Sequence, residues 1–180
     1  MSRPKPPEPA KLIAGFFTPE KGLCTPVVRA LERQFGPVDY ISRWLPFDYT
    51  HYYTAEMGGP LFRRVFSFKR LIEQDQLPRI KKYANELEHT WARNGKRRIN
   101  IDPSYLLPSR FVLATGKNFA HRIYIGHSIY ADLTLLYENG QFQTLPWTYP
   151  DYADPDLQAV LGQIRDKYMD ATGHKSTVTP

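Results

Sequence analysis

Apolar and polar positions along this chain change period several times, and each change marks an element. KLIAGFFT, Lys11 to Thr18, is a short apolar run stopped by Pro19, which suits a buried strand. Thr25-Pro26 offers an N-cap with proline at the first helical position, and Val27, Val28, Leu31 and Phe35 recur at helical spacing until Gly36-Pro37 ends the helix. VDYISRWLPF, Val38 to Phe47, alternates and predicts one strand. Leu61 to Phe68 predicts another, with Phe62, Val65, Phe66 and Phe68 interleaved with Arg63 and Arg64. A second helix is written by Leu77, Ile80, Ala84, Leu87 and Trp91, three or four residues apart on one stripe, and Arg93-Asn94-Gly95 closes it. A fourth strand is expected near Arg98 to Asp102, where Pro103 opens a turn.

Strand, helix, strand, strand, helix, strand is the order of a split β-α-β, or ferredoxin-like, unit. Beyond it the period shortens to that of strands alone. Phe111 to Thr115, Arg122 to Ile125, Ile129 to Tyr137 and Gln141 to Leu145 predict an antiparallel β-meander, with Gly116-Lys117-Asn118 and Asn139-Gly140 as turns. A last helix takes Asp154 as N-cap and Pro155 as first residue, with Leu157, Val160, Leu161, Ile164 and Tyr168 on one face. The expected fold is therefore α+β: a ferredoxin-like core extended by a meander and closed by a C-terminal helix. Residues 1–10, with four prolines, read as a mobile arm, 11–170 as a single domain and 171–180 as a flexible tail.

Composition narrows the setting more than the chemistry. Twelve tyrosines, ten phenylalanines and three tryptophans in 180 residues favour a β-containing core. No apolar run reaches the roughly 20 residues that span a bilayer, which predicts no membrane partner. MSRPKPPEPA lacks the apolar core of an export signal, so a cytoplasmic location is expected by elimination. Cys24 is the sole cysteine, so the chain forms no internal disulfide and no four-cysteine zinc site. A formal charge of +6 raises the expectation of a polyanionic partner, either a small anionic ligand or nucleic acid.

Familiar chemical signatures are missing. Gly116-Lys117 is followed by Asn118 and preceded by no phosphate-cradling glycine, so no P-loop is present, and no GxGxxG, GxSxG or His-Glu-x-x-His occurs. His121 and His127 sit at opposite ends of one predicted strand, roughly 20 Å apart at strand rise, too far to share a metal ion. A metal site would need His51, Asp48 or Glu56 from the preceding loop, and no metal is predicted. Alternation places Ile123 and Ile125 with His121 on one face, and Arg122 and Tyr124 on the other. On the next strand, Ile129, Ala131, Leu133 and Leu135 oppose Ser128, Tyr130, Asp132 and Thr134, and Arg122 can pair with Asp132 across the strands. Three loop segments add functional side chains: FDYTHYYTAEMGG around Asp48, NIDPSYL with Asp102, and WTYPDY with Asp151.

KLIAGFF, YYTAEMGGPLFRRVFSF, IKKYANELE, NIDPSYL, LATGKNFAHRIYIGHSIYADLTLLY and WTYPDY together resemble the bacterial family called domain of unknown function 4416, over roughly residues 11 to 153. Ser104 departs from the family pattern, which places glycine after Asp-Pro, and Asp132 stands where glutamate is usual. The resemblance implies boundaries and no activity.

Three functions are expected in descending order. The first is a small anionic, phosphate-bearing or nucleotide-like ligand in a polar aromatic pocket. Asp48, Lys69, Lys117, Arg122 and Asp151 would bind it, and His121, Asp102 and Tyr130 would transfer protons. The second is an RNA- or DNA-binding module using the basic cluster Arg93 to Arg98. The third is a non-catalytic interaction protein. No cofactor, reaction or oligomeric state is indicated by these residues.

Overall fold

The computed structural model describes residues 3–50 and 52–173. Met1 and Ser2 of the expected arm, His51 of the aromatic loop and residues 174–180 of the expected tail lie outside the described residues. Along the chain run β1 (Ala10–Thr18), α1 (Cys24–Phe35), β2 (Val38–Ile41), β3 (Leu45–Phe47), the one-turn α2 (Thr54–Met57), β4 (Leu61–Ile72) and α3 (Leu77–Thr90). There follow β5 (Asn100–Leu107), β6 (Arg110–Thr115), β7 (Arg122–Gly126), β8 (Ile129–Glu138), β9 (Gln141–Thr144) and α4 (Pro155–Thr172). Among the described residues nine strands form one open sheet of order β2-β4-β1-β5-β6-β8-β7, with β3 on β4 and β9 on β8, and every pairing is antiparallel. The fold is mixed α+β, with a large antiparallel sheet and a C-terminal helix.

Helices cover both faces of this sheet. Alternation along β1 turns Leu12, Ala14 and Phe16 toward α1 and α3, where they meet Val27, Leu31, Ile80 and Ala84. Ile13 points the other way, into a second core with Val65, Leu106 and the α4 residues Leu157, Leu161 and Ile164. Each such α4 side chain contributes about 1.5–3 kcal/mol by leaving water. Asp154 caps α4 by accepting from the Asp156 and Leu157 amides. No helix among the described residues is long and apolar enough to cross a membrane.

Several boundaries differ from the sequence expectation for local reasons. The segment Val38 to Phe47 is two strands, because the chain breaks at residues 42–44; β2 and β3 then share one edge of β4 end to end. Thr25 does not cap α1. A 3-10 turn at Lys21–Leu23 precedes the helix, and the Lys21 carbonyl accepts the Cys24 amide. Beyond β6 the order is not that of a simple meander. β8 lies between β6 and β7, and β9 follows β7 along the same outer edge of β8. Strand β7 is consequently a sheet edge, where Ile123 is exposed rather than core, while Arg122 is buried.

Candidate functional site

The most consequential correction concerns Pro103, which opens no turn. Strand β5 runs straight through it, paired without a break with β1 from Lys11↔Leu106 to Phe17↔Asn100. On the other side the ladder to β6 extends only from Leu107↔Arg110 to Ser104↔Leu113. The next rung would join Pro103 to Ala114, and there proline offers a carbonyl but no N–H, so the rung cannot close with both bonds. From that point β5 and β6 diverge, and a cavity of about 490 Å³ opens between them.

Side chains of α3 occupy the edge of β5 that β6 leaves. Lys81 donates to the Ile101 carbonyl at 2.9 Å, and the Ile101 amide donates to Glu88 at 2.7 Å. A lysine and a glutamate thus replace the missing rung and satisfy a buried peptide group. Lys81 also bonds Asp102 at 3.3 Å, and Asn100 donates to the other Asp102 oxygen at 2.7 Å. Arg97 continues the network, donating to Asn100 at 3.0 Å and holding both oxygens of Glu56. Hydrogen bonds from Arg97 keep the Glu56 carboxyl below its ordinary range. Burial pushes Glu88 the opposite way, against the pull of Lys81 and the Ile101 amide.

Aromatic rings form the wall beside this network. Phe17 stacks on Phe47 at 4.4 Å, and Tyr53 meets Phe17 edge-on at 4.7 Å. Burial, reinforced by the charge of Asp102, pushes the Tyr53 phenol far above its usual range, which keeps it a neutral donor. Tyr52 lies at the rim, where the Lys117 ammonium sits 4.3 Å from its ring centre. Among the described residues Lys117 is in no ion pair.

The far wall is built on two buried arginine–aspartate pairs. Arg122 donates to Asp132 at 2.9 Å, to the Lys117 carbonyl at 2.9 Å and to the Tyr149 hydroxyl. Asp132 also accepts from Thr134 and lies 3.3 Å from His121, whose ring stacks on Trp147 at 5.0 Å. Arg63 pairs with Asp151 and lies 4.5 Å from the Tyr152 ring centre. A side chain at Gly15 would approach both the Arg63 guanidinium and the Tyr152 hydroxyl, at 3.3 and 3.4 Å, so glycine keeps that corner open.

Of the residues singled out from sequence, Asp102, Lys117 and Asp151 line the cavity. Arg122 and His121 stand one layer back, both against Asp132, which itself lines the cavity. Three are elsewhere. Asp48 is exposed, and its neighbours Tyr49 and Thr50 take the wall. Lys69 is exposed on β4, with its amide on the Pro37 carbonyl, and Tyr130 packs on Tyr124 outside the cavity. The loop sequences suggested Asp48, but an exposed turn carried it outward. Lys69 and Tyr130 follow from strand order, which local alternation does not encode.

Lys81, Asn85 and Glu88 were not anticipated. They recur at i, i+4 and i+7 on α3, a polar stripe beside the apolar one, and that spacing was the available signal. No cluster of three or more metal-ligating side chains occurs among the described residues.

An α+β protein whose single open sheet parts to admit a polar, aromatic-walled cavity is the class that fold and site define. The chain belongs to the family described as Domain of unknown function (DUF4416), whose model matches residues 8–168. Comparison with curated proteins and with solved structures returned no match.

Proposed function

We propose that the cavity between β5 and β6 binds a small, nucleotide-like ligand carrying one anionic group. The observation that carries this reading is the distribution of charge around the opening. Lys81 and Arg97 are held by acidic partners, whereas Lys117 at the rim has none among the described residues. Lys117 takes the anion, and Asp102 and Glu88 on the opposite wall accept hydrogen bonds from hydroxyl or amino groups. The cavity's volume falls within the range of small-molecule sites. If the protein catalyses proton transfer, Asp102 is the expected group that reaches the ligand, with Lys81 fixing its position.

Titration calorimetry with a panel of nucleotides and sugar phosphates tests this. At least one ligand should bind, and Lys117→Ala should weaken it about tenfold, the scale of one charge-assisted contact. A panel in which nothing binds would sink the proposal. Two finer readings accompany it. The order β2-β4-β1-β5, with α1 and α3 on one face, supports a ferredoxin-like first half. A single buried cysteine agrees with a cytoplasmic setting. The nucleic-acid reading draws less support, because Arg97 and Arg98 of the basic cluster are engaged by Glu56 and Glu20.

A further inference from the structure

The open edges of the sheet are finished in different ways. The edge formed by β2 and β3 is broken at residues 42–44, carries Pro46, and holds Asp39 in an ion pair with Lys11. Along the opposite edge, β9 is four residues long and carries Gln141 and Gln143. Between β9 and β7, side chains cover the rim of β8. The Trp147 indole donates to the Leu133 carbonyl at 2.8 Å, and the Thr148 hydroxyl to the Thr134 carbonyl at 2.6 Å. Breaks, short strands, proline and polar or charged side chains are the ordinary means of keeping an edge from pairing with a foreign strand.

β7 has little of this protection. Ile123 is 67% exposed and Tyr124 61%, next to each other on the edge strand, and Phe119 just before them is 55% exposed. A bulge between Tyr124 and Gly126 lies at the far end of the strand, past both exposed residues. Ile123 stands opposite Ala131 and continues an apolar face of the sheet. The cover that α3 gives this face ends with Leu77, over Val112, Ala114 and Ile129, and half-buried Ile125, Ala131 and Leu133 lie at its border. Large apolar side chains gathered at an edge strand mark a contact surface.

Charge selects the occupant. Between Lys117 and Glu138 the sequence has two charged side chains, Arg122 and Asp132, and these are buried against each other. The strip therefore offers no counter-charge to an acidic or basic partner. A two-fold axis sets residues beside their own counterparts, which repel across the charged faces of a chain of formal charge +6. On this strip there is nothing to repel.

We propose that two copies of this chain join edge to edge, β7 against β7, about a two-fold axis near Tyr124. An axis perpendicular to the sheet makes the pairing antiparallel and carries the sheet from one copy into the next. It brings the two Ile123 side chains together on one face and the two Tyr124 side chains together on the other. Phe119, Ile123 and Tyr124 are not among the residues lining the cavity, so the dimer stands apart from the ligand reading.

Sedimentation velocity on the full chain tests this at concentrations from about 1 to 100 μM, the Kd range of modest interfaces. Wild type should reach twice the monomer mass at the upper end. Tyr124→Lys and Tyr124→Glu change a position exposed in the single chain, and each should weaken association about tenfold or more. Mixed in equal amounts, the two variants should recover the dimer, because the axis sets their new charges against each other. Recovery also shows that both variants are folded. Wild type that stays monomeric overturns the proposal and leaves the edge to a different protein. A dimer that survives both substitutions overturns it by placing the contact elsewhere. Variants that fail to associate when mixed show that Tyr124 does not meet its own counterpart, which overturns the two-fold pairing.

Discussion

β5 has two halves that face the same neighbour and treat it differently. From Ser104 to Leu107 it pairs with β6, and the side chains around that ladder are Leu106, Phe111 and Leu113, packed under α4. From Asn100 to Pro103 it pairs only with β1, and Lys81, Glu88, Asn100 and Asp102 crowd its open side. One half is held by a main-chain ladder and apolar burial, the other by side chains standing in for a ladder. A main-chain ladder leaves no room for a ligand, whereas side-chain substitutes hold the strand and leave a space beside it. The difference begins at one residue without an N–H.

The closed half should be the costlier one to injure. Phe111→Ala removes a fully buried ring and should destabilise the protein by about 3–5 kcal/mol in urea titrations. Its effect on ligand affinity, measured where the variant is folded, should be small. If a closed-half truncation costs less than the open-half changes below, the contrast fails.

In the open half, Glu88→Ala strands the Ile101 amide and should cost about 1–3 kcal/mol. Hydrogen exchange should quicken first at Ile101, while Leu106 and Val112 keep their protection. Titration sharpens the same point. Burial raises the folded-state pKa of Glu88 above its ordinary 4.5, so the folded protein holds that proton more tightly than the unfolded chain. Its contribution to stability is therefore greatest below about 4.5, declines as pH rises through the folded value, and is flat above it. Glu88→Gln keeps an acceptor for Ile101 but cannot titrate. The stability of wild type relative to this variant should fall with pH across that window, and a flat difference would contradict the burial argument.

How much of this contrast was written in the sequence depends on the distance over which each feature is decided. The three long helices α1, α3 and α4, β1 and the hairpin strands could be read from local period, because burial of one face imposes it. The Arg122–Asp132 pair was also legible, since alternation and a turn fix that register locally. The parting of β5 from β6 was not. Asp102-Pro103 looks like turn chemistry, and only pairing with β1, some ninety residues earlier, keeps the strand extended through it. Likewise Ile123 has the pattern of a core residue and is exposed because β7 falls at the end of the strand order. Lys81 and Glu88 read as solvated helix charges until the strand beneath them loses its neighbour. Their i, i+7 spacing put them on one face but could not say what that face met.

Restoring the missing donor should have the smallest effect on stability and the plainest effect on the comparison. Pro103→Val supplies an N–H directed at the Ala114 carbonyl, together with a side chain suited to a strand. One new hydrogen bond is worth about 0.5–1.5 kcal/mol, and the extra freedom of the unfolded chain without proline offsets about 0.4–1 of it. The net change in stability should therefore stay within about 1 kcal/mol. The new amide at position 103 should nevertheless exchange slowly, as the β5–β6 ladder lengthens by a rung toward Thr115. With that rung made, β5 and β6 stay together further along the cavity between them, and affinity for the anionic ligand should drop although no residue lining the cavity has been altered. A variant whose amide at 103 exchanges as fast as a loop residue would show that something other than proline parts the strands. Lys81 and Glu88, which already hold the edge of β5, would then be the cause rather than the consequence of the opening.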